Sequence, residues 1–184
     1  FGISFDLFTR TTTNNHTRVV QDIFSTLYDK KHIYEKEVES FYCDHCNRFL
    51  PDRYIEGTCP HCTNEDARGD QCDECGQLLD PVDLVDVRCK LCGGTPELKS
   101  TTHLFFALSH FEQPLFDWME DKHHWKSSVL KFTQNWLKDG LHDRAITRDM
   151  TWGIPIPLDG FDEKRIYVWF DAVIGYLAAR KQWA

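Results

Sequence analysis

Two stretches of the chain decide how it folds. Residues 43–62 read CDHCNRFLPDRYIEGTCPHC, and residues 72–92 read CDECGQLLDPVDLVDVRCKLC. Together they hold all eight cysteines of the 184-residue chain, and every cysteine belongs to a C-x-x-C pair. Two such pairs supply the four thiolates of one tetrahedral zinc site. The sequence therefore predicts two structural zinc ions, whose ligands are Cys43, Cys46, Cys59, Cys62, Cys72, Cys75, Cys89 and Cys92.

The spacing alone does not decide which cysteines share a metal. Sequential pairing would join 43–46 to 59–62, whereas nested pairing would join 59–62 to 72–75 and leave the outer pairs for the second ion. A disulfide framework is the alternative chemistry. It is disfavoured because no segment resembles a secretory signal, and the cytoplasmic location that this indicates keeps thiols reduced.

The composition restricts the remaining possibilities. The chain is 41% hydrophobic with a formal charge of -8, which allows one modest core beside a metal-stabilised satellite. No apolar run approaches the roughly 18 residues that span a bilayer, so no membrane segment is expected. Residues 63–87 hold eight acidic residues and one internal base, Arg68. This part of the chain should repel phosphate, so any nucleic-acid contact must use another surface.

Residue patterns outside the cysteine region predict the other elements. They indicate strands at 2–6, 33–42, 102–108 and 165–170, helices at 15–30 and 124–138, and a closing helix capped by Asp171.

Six strings of the chain occur in an order that is typical of one enzyme family. They are GISFDLFTRTT at 2–12, YCDHC at 42–46, FLPDRYIEGTCPHC at 49–62, GDQCDECG at 69–76, ITRDMTWGIPIP at 146–157 and YVWFDAVIGY at 167–176. Over nearly its whole length, the chain resembles the central part of the methionyl-tRNA synthetases.

The resemblance implies an α/β fold in which a class I Rossmann-type catalytic domain, only partly present, is split by a zinc-binding connective peptide with two knuckles. Residues 1–10 and 166–184 would be pieces of the catalytic domain, and 11–165 would be the connective peptide, with its knuckles at 43–95. The family's HIGH-like and KMSKS-like ATP motifs are absent from the chain. We therefore expect this fragment to be inactive alone.

The resemblance also implies the site residues and the zinc pairing. Trp169, Ala172 and Tyr176 would line the pocket for the methionine side chain, since aromatic faces and a small residue suit a polarizable thioether. Arg148 would be catalytic, offsetting charge on the ATP phosphates, and Asp149 would orient it. Nested pairing of the cysteines is the arrangement that the family implies.

The implied activity is that of a methionine–tRNA ligase. Its substrates would be methionine, ATP with Mg²⁺, and tRNA(Met), and both zinc ions would be structural because four thiolates leave no open coordination position. The alternative is a non-catalytic zinc-ribbon module that binds nucleic acid. Such a module has no use for Arg148 or Trp169.

Overall fold

The computed structural model describes residues 2–184 as a mixed α/β chain in two compact units. One unit, here called the body, combines the residues up to Lys36 with His103–Ala184. The other, the cysteine unit, is Glu37–Thr102. Phe1, which begins the predicted 1–10 segment, lies outside the described residues.

All four α-helices of residues 2–184 belong to the body. They are α1 (Asn14–Asp29), α2 (Glu112–Met119), α3 (Ser127–Lys138) and α4 (Val168–Trp183). The strands are β1 (Ile33–Cys43), β2 (Arg48–Phe49), β3 (Ile55–Thr58), β4 (Ala67–Arg68), β5 (Val85–Cys89), β6 (Glu97–Phe106), β7 (Arg144–Ala145), β8 (Thr147–Asp149) and β9 (Lys164–Ile166). Short 3₁₀ turns lie at Asp52–Tyr54, Pro81–Asp83 and Leu108–Phe111.

The strands form three sheets, with the orders β2-β1-β6-β7, β4-β3-β5 and β8-β9. The pairs β1–β2, β3–β4, β3–β5, β6–β7 and β8–β9 are antiparallel. The predicted α/β class is confirmed in this mixed, mostly antiparallel form. These strand pairs do not identify the sheet of a Rossmann-type domain.

The core of the body forms around α1, whose apolar residues repeat at helical spacing. Val19, Val20 and Phe24 are buried, and they belong to one cluster with residues of β6, β9 and α4. The helix begins after Thr13, whose hydroxyl accepts a hydrogen bond from the backbone N–H of His16 at 3.2 Å. The Asn15 side chain donates to the Ala178 carbonyl at 2.9 Å, which joins α1 to α4.

The cysteine unit has a separate core in which sulfur replaces much of the usual hydrocarbon. Four of the nine buried residues in this cluster are cysteines, packed with Phe41, Leu50, Ile55, Ala67 and Leu84. A unit with so few large apolar side chains cannot reach ordinary stability from burial alone. In its three-stranded sheet the strands β4, β3 and β5 have only two, four and five residues, and β3 is the central one.

The structure confirms several predicted elements and corrects three predictions. Helix α1 and strand β1 lie where they were predicted, at 15–30 and 33–42. Residues 2–6 are not a strand, and the structure gives them no strand partner among residues 2–184. The apolar run at 165–170 is not one buried strand either, because β9 ends at Ile166 and α4 begins at Val168. The predicted cap at Asp171 is wrong as well: Tyr167 is the N-cap, and Asp171 lies in the first turn, where a helix favours acidic residues.

Candidate functional site

The eight cysteines gather into two groups of four. The outer cluster is Cys43, Cys46, Cys89 and Cys92, and the inner cluster is Cys59, Cys62, Cys72 and Cys75. Within each cluster all four sulfur atoms lie within 4.8 Å of one another. This is the nested grouping; the sequential alternative would need Cys43 and Cys46 beside Cys59 and Cys62, which the structure does not bring together.

The distances between sulfur atoms suit a tetrahedral zinc site. In the outer cluster Cys43 Sγ lies 3.5 Å from Cys92 Sγ, and in the inner cluster Cys62 Sγ lies 3.6 Å from Cys72 Sγ. Four sulfurs that each bind one ion at about 2.3 Å would be about 3.8 Å apart. The cysteines therefore need little movement to become ligands.

Three of the four cysteine pairs share one backbone pattern. The N–H groups of Thr63, Gly76 and Gly93 donate to the carbonyls of the cysteines four residues earlier, at 3.0, 2.8 and 2.7 Å. The residue after each pair has a positive φ, and this includes Asn47 as well as Thr63. The left-handed backbone turns the chain back sharply, so that both thiols of a pair face the same point. The sequence showed small or polar residues here but not this conformational reason.

The pKa values of the thiols also favour a cation bound between them. Burial and neighbouring thiols raise the pKa of Cys46 to about 12. Hydrogen bonds led by the one from the backbone of Cys75 lower the pKa of Cys72 to about 6. Four close thiols cannot all ionise unless a positive charge compensates them. A soft, all-sulfur donor set of this kind fits zinc.

Arg148 lies in the body, on β8, and lines a broad cavity of about 970 Å³. Its Nη1 group donates to the carbonyls of Ala145 and Thr147, at 3.2 and 2.8 Å. Its guanidinium carbon lies 4.0 Å from the centre of the Tyr167 ring, which is a cation–π contact. The guanidinium is therefore held by two carbonyls and a ring, and it is Lys164 and His103 that contact the Asp149 carboxylate.

The predicted pocket residues share one face of α4. Trp169, Ala172 and Tyr176 are spaced by three and four residues, and Trp169 lines the same cavity as Arg148. Ala172 and Tyr176 are not among the residues that line it. Trp169 and Tyr176 are 73% and 84% exposed. The structure thus brings Arg148 and Trp169 to one cavity and leaves Tyr176 on an open helix face.

Two polar groups of the body were not predicted from the sequence. His103 on β6 contacts Thr147 and Asp149 on β8, and His16 Nε2 lies 3.7 Å from the Asp171 carboxylate. Both histidines are buried. The sequence gives little indication of either contact, because Thr147 lies 44 positions after His103 and Asp171 lies 155 positions after His16.

Comparison with known proteins identifies the family. A profile described as "tRNA synthetases class I (M)" matches residues 1–184. The chain belongs to this family. The match extends beyond the cysteine unit to the segments with Arg148 and Trp169, which the zinc-ribbon alternative leaves unexplained.

Curated relatives of this class I family are methionine–tRNA ligases. The chain is 57% identical over 183 residues to the ligase of Dehalococcoides mccartyi and 52% identical over 183 residues to that of Thermomicrobium roseum. Each alignment covers 100% of this chain but only 33% and 31% of the relative. The chain thus spans about a third of the length of these curated relatives.

The fold is also shared with solved members of the family. The crystal structure of Mycobacterium tuberculosis methionyl-tRNA synthetase bound by methionyl-adenylate has a TM-score of 0.61 and 21% identity. It covers 97% of this chain, which amounts to 30% of that protein. Among residues 2–184, no helix has the length and apolar character that crossing a membrane requires.

Proposed function

We propose that the protein containing this chain is a methionine–tRNA ligase. It would activate methionine with ATP to methionyl-adenylate and transfer the methionyl group to tRNA(Met). The observation that carries the proposal is the 57% identity to a methionine–tRNA ligase along the entire chain. The position of Arg148 and Trp169 on one cavity supports it, since one suits a phosphate and the other a thioether.

The proposed architecture divides the chain between two parts of such an enzyme. Residues 1–10 and 166–184 would belong to the Rossmann-type catalytic domain, and 11–165 would be the connective peptide that interrupts it. The exposed aromatic face of α4, with Trp169 and Tyr176, supports this division because a catalytic domain would cover it.

Arg148 would assist the activation step. Attack of the methionine carboxylate on the α-phosphorus of ATP expels pyrophosphate and places negative charge on the transferring and leaving oxygens. A guanidinium fixed in place stabilises that charge without reorganising. Nη1 donates to two carbonyls, and a guanidinium carries five N–H groups, so donors remain for phosphate oxygens.

The methionine side chain would lie against α4. Trp169 would supply an aromatic wall, Ala172 a small floor, and Tyr176 a second ring one turn beyond Ala172. An unbranched thioether makes favourable contacts with ring edges and faces. These contacts are equal in the ground and transition states, so they should set affinity and discrimination more than rate.

The two clusters would each hold one zinc ion. Cys43, Cys46, Cys89 and Cys92 would bind one, and Cys59, Cys62, Cys72 and Cys75 the other. When bound, the ions would supply folding energy and no reaction chemistry, since each would have four thiolate ligands.

Methionine-dependent exchange of pyrophosphate into ATP tests the proposal in the full-length protein. Exchange should require methionine, and leucine should not replace it. Arg148→Ala should lower the exchange rate about a hundredfold, as loss of one charge-stabilising donor usually does. Arg144→Ala is the control, because Arg144 also lines the cavity but is exposed on β7. Exchange without methionine dependence contradicts the function, and a twofold effect of Arg148→Ala contradicts only its role.

A further inference from the structure

Strand β8 presents different side chains to its two sides. It pairs with β9 so that Thr147 faces Ile166, Arg148 faces Arg165, and Asp149 faces Lys164. Side chains alternate along a strand, so Thr147 and Asp149 share one side while Arg148 points to the other. The side that carries Arg148 contributes to the cavity, and the opposite side is occupied by polar contacts.

His103 bridges the two side chains on that opposite side. Its Nδ1 lies 3.0 Å from Thr147 Oγ1, and its Nε2 lies 3.1 Å from Asp149 Oδ2. Thr147 is fully buried and His103 is 6% exposed. Since the Thr147 hydroxyl also accepts the backbone N–H of Leu104 at 3.0 Å, a neutral imidazole with its proton on Nε2 satisfies every group.

Asp149 joins this arrangement to β9. Its carboxylate pairs with the Lys164 ammonium directly across the two strands, and both side chains are largely buried. Burial raises the pKa of Asp149, but the hydrogen bonds from His103 and Lys164 outweigh it and hold the pKa below its ordinary value. The carboxylate therefore stays ionised and keeps both partners.

The arrangement reaches Arg148 through Thr147. His103 contacts the Thr147 hydroxyl, and the backbone carbonyl of Thr147 accepts a hydrogen bond from Arg148 Nη1 at 2.8 Å. We propose that His103, together with Lys164, is a positioning residue. It contacts the side of β8 that faces away from the cavity, and it thereby holds the Arg148 guanidinium in its orientation toward the cavity. This inference rests on the proposed role of Arg148.

The network lies within the body and consists of contacts between three strands, β6, β8 and β9. Strand β8 has only three residues, and its paired strand β9 also has three. Backbone hydrogen bonds of so short a ladder constrain it weakly. The backbone next to β8 is also anchored, because the Ile146 N–H donates to the Leu104 carbonyl and the Tyr167 N–H to the Ile146 carbonyl, both at 2.8 Å. The contacts of His103 add a side-chain restraint on β8 itself, and a displacement of about 1 Å is enough to impair positioning.

Two substitutions at His103 test the inference in the full-length protein. His103→Leu removes both contacts, whereas His103→Gln keeps an amide donor for Asp149. We expect His103→Leu to lower the exchange kcat about tenfold with the methionine KM within twofold of the parent, and His103→Gln to restore most of the rate. If the loss of rate came only from unfolded protein, both variants would contain less active enzyme, and His103→Gln would not recover the rate.

A double-mutant cycle separates positioning from general damage. If His103 acts through Arg148, adding His103→Leu to Arg148→Ala should cause no further loss of rate. Independent, multiplying effects would overturn the inference, as would a rate for His103→Leu within twofold of the parent. Should His103→Leu fail to fold, Lys164→Met replaces it in the same cycle, with the same two outcomes.

The crystal structure of the His103→Leu protein gives a readout that does not depend on activity. We expect the guanidinium of Arg148 to leave the Tyr167 ring in this variant, and a guanidinium still 4.0 Å from the ring centre would overturn the proposal. If the unmodified protein shows no methionine-dependent exchange, the proposed function fails. The geometry of Arg148 in the variant still decides whether His103 positions it.

Discussion

At the scale of single residues, the turn after each cysteine pair carries a conformational cost that differs between knuckles. Gly76 and Gly93 adopt positive φ without strain, whereas Asn47 and Thr63 must do so with a Cβ atom. Thr63 is the least suited of the four because it is β-branched. The inner cluster therefore contains one relaxed and one strained turn.

Exchanging the residues of these two turns should change stability in opposite directions. Thr63→Gly should stabilise the inner cluster by roughly 0.5–1 kcal/mol, since glycine removes the left-handed strain but adds some unfolded-state entropy. Gly76→Thr should cost about 1–2 kcal/mol, and this is purely a backbone effect because a Cβ there meets no atom within 4 Å. The urea concentration that releases half of the bound zinc measures both. If both variants released zinc at the same urea midpoint as the parent protein, the backbone strain of these turns would have no effect on stability.

The exposed ring of Trp169 gives a prediction about affinity. In the full-length protein, Trp169→Ala should raise the methionine KM about tenfold or more and change kcat little, because a hydrophobic wall binds ground and transition states alike. Trp152→Ala is the matched control: Trp152 is 75% exposed and does not line the cavity. Steady-state pyrophosphate exchange gives both constants. A KM unchanged by Trp169→Ala would exclude the ring from the methionine pocket.

Residue types with a fixed chemistry could be predicted from the sequence, and residues defined by distant partners could not. The cysteines could be predicted as zinc ligands because a repeated C-x-x-C pair has few other uses in proteins. His103 does not, since its two contacts on β8 lie 44 and 46 positions away. The same limit applies to Asp149, whose contacts with His103 and Lys164 the sequence did not predict.

At the scale of elements, each cluster joins chain segments that hydrogen bonds alone hold weakly. The outer cluster ties the end of β1 to the end of β5, through Cys43 and Cys89. The inner cluster closes the chain between β3 and the 3₁₀ turn at Pro81–Asp83. Loss of one metal should therefore loosen a different set of elements from loss of the other.

Substituting one cysteine in each cluster tests this separation. Cys59→Ser should release one zinc and disorder the chain between β3 and β5, while the outer zinc remains bound. Cys43→Ser should release the outer zinc and free the end of β1. Zinc analysis gives the stoichiometry, and hydrogen exchange locates the loosened amides. Release of the metal held by Cys43 and Cys46 in the Cys59→Ser protein would contradict the nested grouping.

Long periodic elements could be predicted, whereas short or context-dependent ones could not. Helix α1 has an apolar face and a threonine N-cap, so its pattern and its start agree. The run Arg165–Phe170 has the β-branched and aromatic residues of a strand, yet α4 begins inside it. There the Asp171 N–H donates to the Tyr167 carbonyl as the helix begins, and the Phe170 ring packs against Phe24 and Phe106, so tertiary packing overrides local preference.

At the scale of the whole molecule, stability comes from two different sources. The core of the body is hydrocarbon, with buried residues drawn from α1, β6, β9 and α4. The core of the cysteine unit is built around sulfur. A structural zinc site contributes on the order of 10 kcal/mol to folding, which exceeds what so small an apolar cluster supplies.

A zinc chelator should therefore unfold the cysteine unit before the body. At moderate temperature we expect the amides of β3 and β5 to lose hydrogen-exchange protection, while those of α1 and α4 keep it. Hydrogen–deuterium exchange with mass spectrometry follows both groups in one sample, and chelator saturated with zinc beforehand is the control. Simultaneous loss of protection in α1 would show that the body depends on metal as well.

Strands β1 and β6 are neighbours in one sheet, and the segment between them carries seven of the eight cysteines, while the eighth, Cys43, ends β1. After β2 the chain leaves this sheet, and it returns at β6 to lie beside β1. The entropy of closing such a loop grows only slowly with its length, so insertions and deletions between β1 and β6 are thermodynamically mild. Knuckles inserted, removed or exchanged in this segment therefore leave the pairing of β1 with β6 in place.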